Sequence, residues 1–261
     1  MKEEIRTFFT ALMFYTRIPC LSWVDHSEYY INRSIRYFPL IGWIVSLLGL
    51  LFFLAAYYSF GIYVSVIVYC IATMGITGAF HEDGLADVFD GFGGGWTKEQ
   101  ILQIMKDSRL GTFGVLGIVL TVLLKMTLLV EILELMPLQL FLLGAIYAHA
   151  MSRFGAATVV FTSVYARDDA DSKSKPVAKS ASPANAIISM LFAFVPLVVF
   201  SLFSYKPMLW LSIVPAGLVI IWMRSYFQKK IGGYTGDCLG AVQQVTEVVL
   251  LAQILLVWRF F

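Results

Sequence analysis

The sequence predicts an all-α fold: a polytopic transmembrane helix bundle of six to seven spans. Of its 261 residues, 59% are hydrophobic and only 14% are charged, whereas a soluble domain carries about 25% charged residues. The apolar residues gather in runs of about 20, the length that crosses a hydrocarbon core of about 30 Å. We therefore expect a single integral membrane domain over residues 1–261, with the lipid bilayer as its surroundings.

Charge and cysteine content exclude other classes of protein. The formal net charge of +2 is too small to indicate a nucleic-acid partner. The three cysteines lie far apart in the sequence and have no metal-ligand spacing. Neither a zinc site nor a disulfide framework is therefore expected.

Seven apolar runs are candidate spans. They cover residues 39–58, 62–80, 111–133, 138–160, 186–203, 208–226 and 241–258. Lys and Arg collect in the N-terminal segment and in the loops 82–110, 167–183 and 224–230, while the opposite turns carry almost none. Because basic loops remain in the cytoplasm, this pattern predicts seven spans with a cytoplasmic N-terminus and a C-terminus on the other side.

The segment before the first span has a helical pattern of its own. Residues 3–23 have apolar side chains at helical spacing, interrupted by polar residues. This pattern predicts an N-terminal amphipathic helix that ends at Pro19. The helix lies either on the cytoplasmic membrane surface or against the bundle.

The densest polar stretch is HEDGLADVFDG, residues 81–91, directly after the second apolar run. Acidic residues at a membrane border are costly unless something neutralises them. If the second span continues as a helix past Phe80, then Asp83, Asp87 and Asp90 lie within about 60° of one another on one helix face.

A bound cation explains this acidic face best. Three bare carboxylates on one face repel each other. Mg²⁺ or Mn²⁺ suits hard oxygen ligands, and such an ion usually completes its shell with phosphate oxygens. The stretch therefore indicates phosphoryl or phosphodiester chemistry. The alternative is a helix N-cap in a solvated acidic turn, which explains one aspartate more easily than three.

A short cytoplasmic helix is predicted near residues 98–108. Thr97 and Gln100 form a capping box at its start, and three charged residues, Lys106, Asp107 and Arg109, follow at its end. Asp107 is a candidate base or further metal ligand. Lys106 and Arg109 are candidates to bind phosphate oxygens, although for Lys106 simple positive-inside charge is the alternative.

A second polar constellation, GGYTGDCLG at residues 232–240, precedes the last span. A glycine-rich turn that leads into a helix N-terminus suits an anion. Asp237 argues against a bare phosphate site, so it binds a sugar hydroxyl or a metal, or caps the helix. Gln244 and Glu247 follow near the same helix side. Thr235, Asp237, Gln244 and Glu247 are therefore candidate substrate-binding residues, and we expect the turn at 235–237 and residues 107–109 to converge on the acidic stretch.

The motifs HEDGLADVFDG, MKDSRLGTFG and GGYTGDCLGA occur in this order, after FFTALMFYTRIP and RYFPLIG near the N-terminus. Together they resemble the cobalamin synthase family, the adenosylcobinamide-GDP ribazoletransferases, and the resemblance covers essentially the whole chain. The segment DVFDG also looks like the start of the CDP-alcohol phosphotransferase signature. The remainder of that signature is missing, so that family is a mechanistic analogy only.

The resemblance implies a multi-pass enzyme of the bacterial cytoplasmic (inner) membrane, whose active site faces the cytoplasm and needs Mg²⁺. Adenosylcobinamide-GDP and α-ribazole, or α-ribazole 5′-phosphate, are the implied substrates. A ribose hydroxyl, assigned to the 5′ position, attacks the phosphate on cobinamide, and GMP leaves. A homo-oligomer or a complex with other corrinoid-pathway enzymes is a further expectation.

The residue roles follow from combining the spacing with this chemistry. Glu82, Asp83, Asp87 and Asp90 are expected to hold the metal at the diphosphate. Asp90 or Asp107 is expected to take the proton from the attacking hydroxyl. The rival functions are another membrane phosphotransferase, acting on a nucleotide-activated alcohol, and a cation transporter. A transporter requires acidic residues at mid-span, whereas this cluster lies at a span edge.

Overall fold

The computed structural model describes residues 2–20, 23–24, 27–167 and 182–261. Over these ranges the chain forms eleven α-helices and no named strand: α1 (Lys2–Tyr15), α2 (Glu28–Ser34), α3 (Phe38–Phe60), α4 (Ile62–Thr77), α5 (Phe80–Gly94), α6 (Lys98–Ile104), α7 (Thr112–Leu135), α8 (Leu138–Thr162), α9 (Pro183–Ser204), α10 (Ile213–Ile231) and α11 (Gly236–Phe260). A 3-10 turn joins α2 to α3, and another precedes α10. The predicted all-α class is confirmed.

Six helical segments of the described chain are long and apolar enough to cross a membrane. They are Glu28–Phe60, α7, α8, α9, Pro207–Ile231 and α11, and the bent pair α4–α5 makes a seventh if it counts as one span. The predicted six to seven spans are therefore confirmed. The first span begins earlier than predicted, because α2 and the 3-10 turn continue into α3.

The second span does not continue through Phe80 as predicted. Helix α4 ends at Thr77, and Gly78 and Ala79 both take left-handed backbone conformations, with φ of 69° and 55°. Helix α5 then begins at an angle of 89° to α4. The predicted end of this span at Phe80 is therefore three residues too late, and the condition of a helix that continues past Phe80 is not met, because the left-handed pair turns the chain before the acidic residues. The acidic face survives, since Asp83, Asp87 and Asp90 all lie on α5.

The N-terminal helix packs against the bundle. Helix α1 ends at Tyr15, four residues before Pro19, so the predicted end was too late. Its buried side chains are Thr7, Thr10, Ala11 and Tyr15, a stripe with helical spacing. The Tyr15 ring stacks on Phe38 of α3, with ring centroids 4.1 Å apart. Of the two predicted positions, the structure has the packed one.

The short helix α6 begins as predicted and ends early. The Thr97 side chain accepts from the backbone N–H of Gln100, and the Gln100 side chain accepts from the backbone N–H of Thr97. This capping box confirms the predicted start. The helix ends at Ile104, so residues 106–109 lie in the connection to α7.

Helix α11 lies at the centre of the arrangement, packed against α5, α7, α8 and α10. One buried apolar cluster joins α3, α4, α7, α8, α9, α10 and α11. A second joins α1, α3, α5, α6, α8, α10 and the start of α11. The second cluster supports the acidic helix α5 and the glycine-rich turn, so it positions the candidate site.

Candidate active site

The site forms where α5 crosses the start of α11. A Cβ atom added to Gly84 would lie 2.9 Å from the Cα of Asp237, and one added to Gly240 would lie 2.9 Å from the carbonyl oxygen of His81. Only glycine permits such a close approach of two backbones. The contact confirms the predicted convergence of the acidic stretch with the turn at Asp237.

Three carboxylates meet at this crossing. Asp83 is exposed and Asp87 is half-buried, while the Asp237 side chain is 24% exposed. The carboxylates lie close enough to repel one another, and among the described residues Arg167 attracts both Asp87 and Asp237. This surplus of negative charge on an accessible surface favours a cation ligand.

Arg167 was not predicted as a site residue. Its Nη2 atom lies 3.0 Å from Oδ2 of Asp237. A short backbone pairing brings it there: the Ala166 N–H donates to the Tyr234 carbonyl at 2.9 Å, and the Tyr234 N–H donates to the Val164 carbonyl at 3.0 Å. In the sequence, Arg167 is one of several basic residues in the loop 167–183. Those residues were used only to predict the orientation in the membrane, so Arg167 was not recognised as a site residue.

The turn before α11 is shaped by Thr235 and Gly233. The Thr235 hydroxyl accepts from the Cys238 N–H at 3.3 Å and also lies 3.3 Å from Oδ2 of Asp237. Thr235 is therefore the N-cap of α11, and the alternative that Asp237 caps it is wrong. A Cβ on Gly233 would lie 2.1 Å from the Val164 carbonyl oxygen, so the pairing with the Arg167 segment requires glycine.

Asp90 has a different role from the other two aspartates of α5. Its Oδ2 accepts from the Gly111 N–H at 2.7 Å and its Oδ1 accepts from the Gly114 N–H at 2.8 Å. Both carboxylate oxygens thus cap the N-terminus of α7. The predicted alternative of an N-cap in a solvated acidic turn fits none of the three aspartates, because all lie within α5 and Asp90 is buried. These contacts do not support the metal-binding and base roles predicted for Asp90.

Glu82 points away from Asp83, into the bundle. Its Oε1 accepts from Nε2 of Gln244 at 2.9 Å, and Gln244 Nε2 also donates to Oε1 of Gln243 at 2.9 Å. Nε2 of Gln243 donates to Oε2 of Glu247 at 2.6 Å. All four side chains are buried. The structure therefore does not bring Glu82, Gln244 and Glu247 to the surface of Asp83, where a metal or substrate role was predicted for them.

The buried polar network around Glu247 includes four residues that were not predicted. Its members are Glu82, Gln243, Gln244, Glu247, Lys125, His149 and Arg153, and the four are Gln243, Lys125, His149 and Arg153. Lys125 Nζ lies 2.6 Å from Oε1 of Glu247, and Nε2 of His149 lies 3.4 Å from the same oxygen. Nη1 of Arg153 donates to the His149 carbonyl at 3.0 Å. A lysine at mid-span needs a buried partner, so Lys125 within the run 111–133 was a signal for this network.

The connection between α6 and α7 holds its own ion pair. Nη2 of Arg109 lies 2.5 Å from Oδ2 of Asp107, and Nε donates to both carboxylate oxygens at 3.0 Å. Hydrogen bonds from Arg109 lower the pKa of Asp107 to about 2, which makes Asp107 a weak base. The Arg109 side chain is 88% exposed, and Lys106 is also exposed, so both remain accessible to an anion.

The donor chemistry of the crossing fits Mg²⁺. Over the described residues, no three His, Cys, Asp or Glu side chains lie close enough to hold one metal ion together. Mg²⁺ does not require three, because it is usually bound by one or two carboxylates together with waters and substrate phosphates. Asp83 and Asp87, one helical turn apart on an accessible face, provide such a pair.

Comparison with known proteins identifies the family. The family model described as cobalamin-5-phosphate synthase matches residues 7–256. An adenosylcobinamide-GDP ribazoletransferase of Leptospira interrogans is 43% identical, covering 99% of this chain and 98% of that protein. Proteins with the same name from Shewanella oneidensis (43% identical, 98% and 95% covered) and Shewanella piezotolerans (41% identical, 98% and 97% covered) are also similar.

No solved structure matches the chain, so its relation to known proteins rests on sequence. The match extends over nearly the full length of both partners in each comparison. The enzyme class that the sequence motifs predicted is the one that these relatives carry. The chain belongs to the cobalamin-5-phosphate synthase family.

Proposed function

We propose that this enzyme joins adenosylcobinamide-GDP to α-ribazole or α-ribazole 5′-phosphate, with release of GMP, at the crossing of α5 and α11. The observation that carries the proposal is the Gly84–Asp237 contact. It places the accessible carboxylates Asp83 and Asp87 beside a helix N-terminus and beside Arg167. A diphosphate needs this combination of a cation site and phosphate-binding groups.

Asp83 and Asp87 are proposed to hold Mg²⁺ against the diphosphate. When bound, the ion supplies charge neutralisation of the diphosphate and stabilisation of the departing GMP. Arg167, paired with Asp237 in this structure, is near enough to bind a phosphate oxygen. Arg109 and Lys106 on the connection to α7 are proposed as further contacts to the nucleotide.

Asp237 is the proposed general base. Both oxygens of Asp90 accept from backbone N–H groups, and the lowered pKa of Asp107 makes it a poor proton acceptor. Asp237 is the remaining carboxylate at the crossing. Transfer of Arg167 to a substrate phosphate would leave Asp237 to take the proton from the attacking ribose hydroxyl.

The attacking hydroxyl needs one correction. The family description names a cobalamin 5-phosphate, which indicates an acceptor that already carries phosphate on its 5′ oxygen. That oxygen is then not a nucleophile, so a secondary ribose hydroxyl attacks. For α-ribazole 5′-phosphate, a secondary ribose hydroxyl is therefore the proposed nucleophile in place of the 5′ hydroxyl.

The site is proposed to face the cytoplasm of a bacterial inner membrane. The basic loops beside the site support this orientation, and nucleotide substrates are cytoplasmic. An assembly with other copies of the chain or with other corrinoid-pathway enzymes stays a prediction.

The test uses purified protein in nanodiscs with adenosylcobinamide-GDP, α-ribazole 5′-phosphate and Mg²⁺. We expect stoichiometric GMP and cobalamin 5′-phosphate, and no product after chelation with EDTA. Asp83→Asn and Asp87→Asn should each reduce turnover by about 10²-fold or more. The matched control is Glu131→Gln, because the Glu131 carboxylate is 42% exposed and its ion pair within the described part of the chain is a long one, 3.7 Å to Arg259. Full activity of both aspartate variants would refute the site.

The two rival functions give different products. A phosphotransferase that acts on CDP-alcohols would release CMP and make a phospholipid, and a cation transporter would give flux into proteoliposomes without any nucleotide. GMP release that depends on the corrinoid substrate excludes both rivals as the main activity.

A further inference from the structure

A cavity of about 400 Å³ lies between the α2 region and the start of α9. It is lined by Tyr29, Asn32, Arg33, Arg36, Ser182, Ala184 and Asn185. None of these residues belongs to α5 or α11, so the cavity is separate from the crossing described above. Its described lining has two arginines and no carboxylate, and therefore favours an anion.

The two arginines are held from outside the cavity. Glu3 lies 3.0 Å from Nη1 of Arg33, and Glu4 lies 3.3 Å from Nη2 of Arg33 and 3.1 Å from Nη2 of Arg36. Tyr29 also contacts Glu3 and Arg33. Both glutamates are about half exposed, at 48% and 45%, and neither lines the cavity. They fix the guanidinium groups without occupying the space between them.

Each guanidinium keeps unused donors. The Nε atoms of Arg33 and Arg36 are buried and have no hydrogen-bond partner among the described residues. The Arg36 side chain is only 6% exposed. An unsatisfied buried donor is costly, but these two Nε atoms are closed to solvent, so they do not themselves contact the cavity. An arginine fork suits the planar, multiple oxygens of a phosphate.

The opposite wall is the N-terminus of α9, a helix of 22 residues. The Ser182 side chain caps it by accepting from the Asn185 N–H at 3.4 Å, and Ala184 and Asn185 face the cavity. Asn185 is 6% exposed, and no described residue hydrogen-bonds its side-chain amide. A helix N-terminus attracts negative charge, so this wall and the arginines favour the same ligand.

We propose that this cavity binds a phosphate group, held by Arg33, Arg36, the Asn185 amide and the N-terminus of α9. Two sources share this chemistry: the 5′-phosphate of the nucleotide acceptor, and the headgroup of an anionic phospholipid. The first source rests on the function proposed above, whereas phosphate binding itself does not.

Direct binding tests the site independently of turnover. The probes are radiolabelled inorganic phosphate and α-ribazole 5′-phosphate, and the protein is in nanodiscs of zwitterionic phosphatidylcholine. Asn185→Asp is the decisive variant, because it places a negative charge in the cavity and removes no described side-chain bond. We expect it to weaken the binding of both probes by at least about tenfold. Equal affinity of wild type and Asn185→Asp would overturn the proposal.

Two further variants, together with thermal unfolding, distinguish a loss of the phosphate site from misfolding or a general charge effect. Arg36→Gln should weaken binding as well, but it also breaks the pair with Glu4. Arg259→Gln removes an exposed charge outside the cavity and should bind like wild type. Unchanged thermal unfolding of Asn185→Asp, together with lost binding, assigns the effect to the cavity. An equal loss of phosphate binding in Arg259→Gln would overturn the proposal, because a change in overall charge would then explain the result without the cavity.

Kinetics and lipid exchange separate the two sources. The acceptor source predicts that Asn185→Asp raises KM about tenfold for α-ribazole 5′-phosphate, but not for α-ribazole, at unchanged kcat. If the ligand is a lipid headgroup, wild-type protein in phosphatidylglycerol nanodiscs should bind less inorganic phosphate than in phosphatidylcholine nanodiscs. Asn185→Asp should then change the KM values for α-ribazole 5′-phosphate and for α-ribazole by the same factor. If wild type turns over neither acceptor, the proposed function fails, and the binding data still decide whether the cavity holds phosphate.

Discussion

Lys125 on α7 and Glu247 on α11 are joined inside the bundle by an ion pair of 2.6 Å between Nζ and Oε1, with side chains only 5% and 2% exposed. His149 and Gln243 complete the surroundings of Glu247. Through Gln243 and Gln244 the chain of polar contacts continues to Glu82 on α5. The ion pair therefore belongs to a connection between the centre of the membrane domain and the acidic helix.

Breaking this ion pair on one side should be strongly destabilising. Lys125→Met leaves the Glu247 charge buried without its main partner, which costs about 3–5 kcal/mol. The double variant Lys125→Met/Glu247→Gln removes both charges and should recover much of that loss. Unfolding in detergent, followed for the two single variants and the double variant, measures the coupling. Additive effects of the two substitutions would contradict a direct pair.

The close approach of α5 and α11 should be sensitive to a single methyl group. Gly84→Ala places a Cβ 2.9 Å from the Asp237 backbone, so the helices must separate. We expect turnover to fall by about tenfold or more, because small displacements of catalytic groups are costly. The control is Gly75→Ala on α4, where a Cβ meets nothing within 4 Å. Equal activity of the two variants would mean that the crossing is not the reacting centre.

Asp90 and Asp87 should differ in what their loss impairs. Asp90→Asn cannot accept from Gly111 and Gly114 with two carboxylate oxygens, so we expect a loss of about 1–2 kcal/mol in stability. Asp87→Asn should leave stability nearly unchanged and reduce turnover and Mg²⁺ dependence. Thermal unfolding and Mg²⁺ titration of activity, measured on both variants, separate the two roles. A shifted Mg²⁺ requirement in Asp90→Asn would restore its predicted place among the metal ligands.

Asp107 should not control the pH dependence of activity. Its pKa, lowered to about 2 by Arg109, keeps it ionised at any ordinary assay pH. The Asp107–Arg109 pair is thus fully formed above the usual carboxyl range and is lost only as the pH falls through about 2. Asp107→Asn should therefore keep the wild-type pH–rate profile between about pH 5 and 9. Disappearance of the acidic limb of that profile, where a general base becomes protonated, would identify Asp107 as the base after all.

Local patterns in the sequence predicted the parts of the fold that depend on local physics. The length of the apolar runs predicted the membrane spans. The spacing of Asp83 and Asp87 predicted that both lie on one face of a helix. The pair Thr97 and Gln100 gave the start of α6. Each of these depends on residues within a single helical segment, so no knowledge of packing was required.

The features that were missed depend on contacts between distant parts of the chain. The cap made by Asp90 needs Gly111 and Gly114, which belong to another helix. The position of Arg167 depends on the pairing of its strand-like segment with the turn at Gly233. The spacing within residues 81–91 cannot show that Glu82 and Asp83, neighbours in sequence, point into different environments.

The left-handed pair Gly78–Ala79 has a consequence for the bilayer. Helix α4 has 16 residues, a length of about 24 Å, which is less than a typical hydrocarbon thickness of about 30 Å. Since α5 leaves at a right angle, the depth of its carboxylates is set by where this short helix stops. A thinner or thicker membrane would then raise or lower the acidic surface relative to the lipid headgroups. We expect acyl-chain length to act on this enzyme as a regulator of substrate access.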